Sequence, residues 1–177
     1  MDLHTLVRNA LKIAVFGSDE DHCTDAARGI AYFVGREIAQ RNYILYTGGL
    51  GGVMEAASRG AAEAGGISVG IIPFDDPKRA NPYCALVIPT GIGFARMQVL
   101  AHSVDAAVLV EGSWGTRTEA QWVNYLERPV VALPCSGGTA ADVAGKVIDE
   151  ARKKSQILSA VDHRSALDLI EAYYLRR

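Results

Sequence analysis

The chain has 177 residues, 49% of them hydrophobic, with 18 basic and 20 acidic side chains and a net charge of −2. This length suits one domain, and so much apolar content builds a core without help from a disulfide or a metal. The near balance of charge excludes the basic field that draws proteins nonspecifically onto nucleic acid or anionic membrane, so neither is expected as a partner.

At the start, Asp2, His4 and Arg8 interrupt the apolar residues, so the continuous core of a signal peptide is missing and a short helix or arm is expected up to Lys12. No stretch approaches the roughly 18 apolar residues that cross a bilayer. Cys23, Cys84 and Cys135 are widely separated with no CxxC pair, which suits a reducing cytoplasm and small buried or half-buried thiols. From Ile13 onward, short apolar runs alternate with longer helical stretches, the pattern of βαβ units. Strands are expected at Ile13 to Phe16, Ile44 to Thr47, Ser68 to Ile72, Leu86 to Ile88, Ala106 to Val110 and Val130 to Leu133. Helices are expected at Ala26 to Arg41, Val53 to Ala64, Phe94 to Ser103, Thr116 to Glu127 and Ala140 to Lys154. A closing helix over Ser165 to Arg177 is expected to bury Leu167, Ile170 and Leu175. Several strands are apolar throughout, as parallel strands covered on both faces are. The fold class is therefore α/β, a doubly wound parallel sheet flanked by helices in one domain, its core over residues 12–154. Pro73 to Tyr83, rich in Pro, Asp and Asn, is read as a surface loop or a lid.

Glycines gather where the strands end. Gly17 and Ser18 follow the first strand; Gly48, Gly49, Gly51 and Gly52 lead through Val53 and Met54 after the second; Gly112, Ser113, Gly115 and Thr116 follow the fifth. In an open parallel sheet, ligands bind outside these carboxyl ends. Each cluster leads toward a helix, whose first turn offers unpaired N–H groups and partial positive charge, so a phosphate is the expected guest. Tight strand-to-helix turns also favour glycine with no ligand at all. The loops do not fit GxGxxG or GxxxxGK[ST], which argues against NAD in its usual style and a P-loop ATPase. His4, His22, His102 and His163 are scattered without HExxH spacing, so no metal site is expected. Gly112-Ser113-Trp114-Gly115 is not the GxSxG of a serine hydrolase.

Gly48-Gly49-Leu50-Gly51-Gly52-Val53-Met54, then Ala57-Ser58-Arg59-Gly60-Ala61 and Gly70-Ile71-Ile72-Pro73, resemble the first half of the LOG ("lonely guy") family, members of the SLOG superfamily long mislabelled as lysine decarboxylases. Arg96 and Gly112-Ser113-Trp114-Gly115-Thr116-Arg117-Thr118-Glu119 resemble the second half, whose pattern is PGGxGTxxE. The resemblance spans residues 12–134 and implies a Rossmann-like fold, a homodimer or larger homo-oligomer, and a phosphorylated small-molecule ligand. LOG enzymes are phosphoribohydrolases that cleave nucleoside 5′-monophosphates to base and ribose 5-phosphate, and their catalytic pair falls on Arg96 and Glu119. Chemistry supports that pair: a carboxylate stabilises an oxocarbenium-like transition state and orients water. Glu119 is expected ionised in the first turn of its helix, with Arg96 clamping a phosphate or pairing with Glu119. A purely structural ion pair, or a glutamate that completes a cap with Thr116, is the alternative.

The chain departs from the family in two places. Glu111-Gly112-Ser113 replaces Pro-Gly-Gly, bringing a carboxylate expected to repel phosphate, and Met97 replaces a lysine after Arg96. Gly91 to Arg96 resembles instead the branch holding the molybdenum cofactor carrier proteins, so a carrier or sensor of a cofactor such as molybdenum cofactor is a second reading. An assembly module with a decayed site is a third. No lysine is placed for decarboxylase chemistry. Trp114 is expected to stack on a base or pterin, or to pack against Trp122 and Tyr125 at a subunit interface.

Overall fold

The computed structural model describes residues 9–148 and 155–176. The expected N-terminal helix or arm, and the end of the helix expected over Ala140 to Lys154, therefore fall largely outside the described residues. Strands β1 (Lys12–Gly17), β2 (Ile44–Thr47), β3 (Ile67–Ile72), β4 (Leu86–Pro89), β5 (Ala106–Val110), β6 (Val130–Leu133) and β7 (Leu158–Ser159) form one sheet. Its order is β4-β3-β2-β1-β5-β6-β7, with every neighbouring pair parallel. The expected Rossmann-like α/β architecture is therefore present. Helices α1 (Asp25–Gln40), α2 (Val53–Glu63), α3 (Arg96–Ser103), α4 (Trp114–Tyr125), α5 (Gly138–Val143) and α6 (His163–Leu175) connect and cover the strands. No described helix is long and apolar enough to cross a membrane.

The all-apolar strands find their explanation in two cores. Alternate residues of β1 point to opposite faces: Ile13 and Val15 pack with α1, α2 and α6, while Ala14 and Phe16 pack with α3, α4 and α5. Helix α1 begins at Thr24, whose hydroxyl accepts the Ala27 N–H, and it buries Ala27, Ala31, Val34 and Ile38 at helical spacing. From β1 the chain winds outward to β4, then returns through α3 to place β5 beside β1. Connections leave β1 and β5 in opposite directions, so a crevice opens above their carboxyl ends.

Three expectations are corrected and one strand, β7, comes in addition to those expected. The helix expected from Ala140 ends at Val143, because Ala144 leaves helical geometry and Gly145 takes φ +72°, sending its N–H to Ile157 O. Leu175 is 87% exposed while Leu167 and Ile170 are fully buried; eight residues of helix rotate it by roughly 80° from Leu167, off the buried stripe. Strand β7 has only two residues and no periodic signal to announce it. Cys135 is exposed rather than buried or half-buried.

Candidate functional site

The crevice holds a cleft of about 250 Å³, reached by the loops after β1, β2 and β5 and by the start of α3. Gly17, Gly48, Met54, Arg96, Trp114 and Glu119 are among its walls, so residues far apart in sequence meet there.

In the loop after β2, several backbone groups have partners inside the protein. The Gly49 N–H donates to Thr47 Oγ1 at 3.0 Å, the Gly52 N–H to Glu20 Oε2 at 2.8 Å, and the Val53 N–H to Ser18 O at 3.0 Å. Glu20 is itself held by Arg28, 2.9 Å away, so the chain's own carboxylate sits at the start of α2. Asn81 ties the segment read as a surface loop or lid onto the same turn: its N–H donates to Gly49 O and its Nδ2 to Leu50 O, at 2.8 and 3.0 Å. Gly48 packs closely against two cleft side chains. A Cβ there would lie 2.5 Å from Arg96 Nη1 and 2.7 Å from Met54 Sδ, so glycine lets the guanidinium lie on the loop.

The loop after β5 is built differently. Glu111 has φ +54° and Gly112 φ +90°, and a Cβ at Gly112 would collide with the Thr116 side chain. The Glu111 N–H donates to Ser136 Oγ at 2.7 Å and the Gly112 N–H to Ser18 Oγ at 3.0 Å, locking the turn. Ser113 is the N-cap residue of α4, but no side chain caps the first turn. Ser113, Gly115 and Thr116 line the cleft, so the open, partly positive end of α4 belongs to it.

The Glu111 carboxylate turns toward Thr24 and does not line the cleft. Buried at the start of α1, it accepts from Thr24 Oγ1 at 2.8 Å and from Thr24 N–H at 3.3 Å. The left-handed backbone at Glu111 lets the side chain leave the α4 turn.

Arg96 and Glu119 are each 8% exposed and share the cleft. Arg96 Nη1 donates to Ile71 O at 2.8 Å, and burial lowers its pKa against the pull of Glu119. The expected direct pairing is absent: neither a hydrogen bond nor an ion pair joins the two side chains, because the guanidinium is anchored on β3. Glu119 also departs from its expected state. Helix α4 starts two residues earlier than Thr116, so Glu119 stands beyond the first turn and Thr116 is not its cap. Burial pushes its pKa up to about 7, only partly offset by the charge of Arg96. The carboxyl group is thus poised to exchange a proton near neutrality, with no hydrogen bond from a described residue.

Phe94 and Trp114, 75% and 66% exposed, meet edge to face at 6.0 Å on the cleft wall. Trp122 pairs edge to face with Tyr125 within the chain. Among the residues that the motifs did not indicate are Asp19, which lines the cleft, and the supports Glu20, Thr24, Asn81 and Ser136. The charged run after β1 was the one available signal for Asp19 and Glu20; the others had none.

A model of the SLOG cluster4 family matches residues 10–167. The X-ray structure of the protein TM1055 superposes with a TM-score of 0.84 at 32% identity, covering 92% of this chain and 99% of that one. The molybdenum cofactor binding protein of Rippkaea orientalis gives 0.82 at 27% identity, covering 94% and 98%. The Moco carrier protein of Chlamydomonas reinhardtii gives 0.81 at 27% identity, covering 96% and 100%.

Proposed function

The chain belongs to the SLOG cluster4 family, and from that premise we propose that its cleft binds a phosphorylated nucleotide or nucleotide-like cofactor, with the phosphate on the open first turn of α4. The single observation that carries this reading is that uncapped turn beside the buried guanidinium of Arg96. Backbone N–H groups and a cation together suit a phosphate monoester. The exposed faces of Phe94 and Trp114 suit a planar ring, either a nucleobase or a pterin.

On a nucleoside 5′-monophosphate, Glu119 supports hydrolysis of the N-glycosidic bond. In its ionised form it accepts a proton from water as the water oxygen bonds to the anomeric carbon. Before it takes that proton, the negative carboxylate stabilises the positive charge building on the sugar; the bond from the anomeric carbon to the base breaks, its electron pair leaves with the base, and the departing base nitrogen takes up a proton from solvent while Glu119 returns its own to solvent. A pKa near 7 suits that exchange. The second reading, a carrier of a phosphorylated cofactor such as molybdenum cofactor, is favoured by the likeness to the two molybdenum cofactor proteins. Both readings use the same phosphate site, and in both a homodimer or larger assembly is the expected form.

Incubating the purified protein with AMP and following free adenine separates them. Release that is lost in Glu119→Gln supports the phosphoribohydrolase. Saturable AMP binding without release, in wild type and variant alike, supports the carrier.

A further inference from the structure

Between β1 and α1 the chain passes through Ser18, Asp19 and Glu20, and the proposed phosphate site leaves Asp19 without a role. Its neighbours are stitched to both glycine loops. Ser18 accepts from the Val53 N–H through its carbonyl and from the Gly112 N–H through its hydroxyl, each at 3.0 Å. Glu20 accepts from the Gly52 N–H at 2.8 Å and is gripped by Arg28. Asp19 therefore stands on a backbone fixed on either side, while its own side chain is 59% exposed and lines the cleft. His22 Nδ1 lies 2.6 Å from Asp19 Oδ1 and orients the carboxylate. No hydrogen bond from a described residue engages Oδ2.

An ionised carboxylate accepts hydrogen bonds and donates none, so it repels a phosphate and welcomes hydroxyl groups. The cleft thus carries both signs, with Arg96 and the start of α4 supplying the cationic part and the loop after β1 the anionic part. We propose that Asp19 is a specificity-determining residue that accepts hydrogen bonds from the sugar hydroxyls of the phosphorylated ligand. This assignment rests on the reading of the cleft as a phosphate-monoester site. It selects ligands that pair one phosphate with free hydroxyls and disfavours those carrying a second phosphate in their place.

Calorimetric titration of the full chain with AMP, 2′,3′-dideoxyadenosine monophosphate and inorganic phosphate tests it. The wild type is expected to bind AMP at least roughly tenfold more tightly than the dideoxy analogue, the worth of a hydrogen bond to a charged group. Asp19→Ala and Asp19→Asn are expected to bring AMP down to the level of the dideoxy analogue while inorganic phosphate binds unchanged or better. Equal affinity of the wild type for AMP and the analogue, with phosphate still bound, overturns the role of Asp19 and leaves the phosphate site standing. A variant that loses AMP, analogue and phosphate together overturns it as well. If the wild type binds neither phosphate nor AMP, the phosphate reading falls and the assignment of Asp19 with it.

Discussion

The two glycine loops that flank the cleft look alike in sequence and differ in what their backbones do. The loop after β2 carries four glycines, yet its Gly49, Gly52 and Val53 N–H groups all serve protein acceptors, and Glu20 already sits at the start of α2. The loop after β5 departs from its family pattern, yet it leaves the first turn of α4 without a side-chain cap and facing the cleft. Glycine content reports where a backbone can turn tightly. Anion affinity follows instead from which N–H groups remain without internal partners. A carboxylate in a loop need not oppose an anion either: Glu111 and Glu20 each serve a helix start of their own, α1 and α2.

The sharpest way to break this comparison is Gly115→Asp. A Cβ at Gly115 would meet only Met97 Cε at 3.5 Å, an ordinary contact, so the fold accommodates the change. A carboxylate there faces the open turn of α4, and binding of phosphate monoesters should fall by roughly a hundredfold through like-charge repulsion. Calorimetry that finds binding retained, with thermal stability unaltered, moves the phosphate away from α4.

A somewhat smaller effect concerns stability rather than affinity. The folded Glu119 holds its proton up to about pH 7 against an ordinary value of 4.5. A raised folded pKa contributes stability that is complete below the unfolded value and lost as pH climbs through the folded one. Wild-type stability should therefore decline across that window, since the ionised carboxylate is buried above it. Glu119→Gln removes the decline and should be more stable at pH 8 by about 2 kcal/mol, an order-of-magnitude figure from the shift. Denaturant midpoints at pH 5 and pH 8 check this; an equal pH response in both proteins refutes a buried, unpaired Glu119.

The smallest change is expected at the loop after β2. Glu20→Ala frees the Gly52 N–H and Arg28 without touching α4, so phosphate affinity should stay within about threefold of wild type or rise, as for an exposed charge beside a site. Loss of binding in this variant would restore that loop as the anion platform.

Much of the fold was legible because β1, β5 and β6 are apolar on both faces, and only a parallel sheet covered by helices buries such strands twice. The places where the reading missed share a physical cause. Helix α5 ends at Val143, just before Gly145 turns with positive φ and pairs with the distant Ile157, and β7 is too short to show a period. Trp114 begins α4 because Ser113, not a residue nearer Thr116, takes the cap position. That shift of two residues carried Glu119 out of the first turn, and its burial, which no local pattern announces, raised its pKa.

From sequence alone follow the alternation of strands and helices, the gathering of glycines at strand ends, and the candidates Arg96 and Glu119, because each rests on local period or local motif. Only the tertiary structure decided that Arg96 anchors to β3 rather than to Glu119, that Glu111 serves α1, that Glu20 serves α2, and that Asp19 stands fixed between both loops. These contacts join residues that are tens of positions apart. A hydrogen bond forms only within about 3 Å, so its partner is chosen by how the chain returns on itself, and no local pattern records that choice.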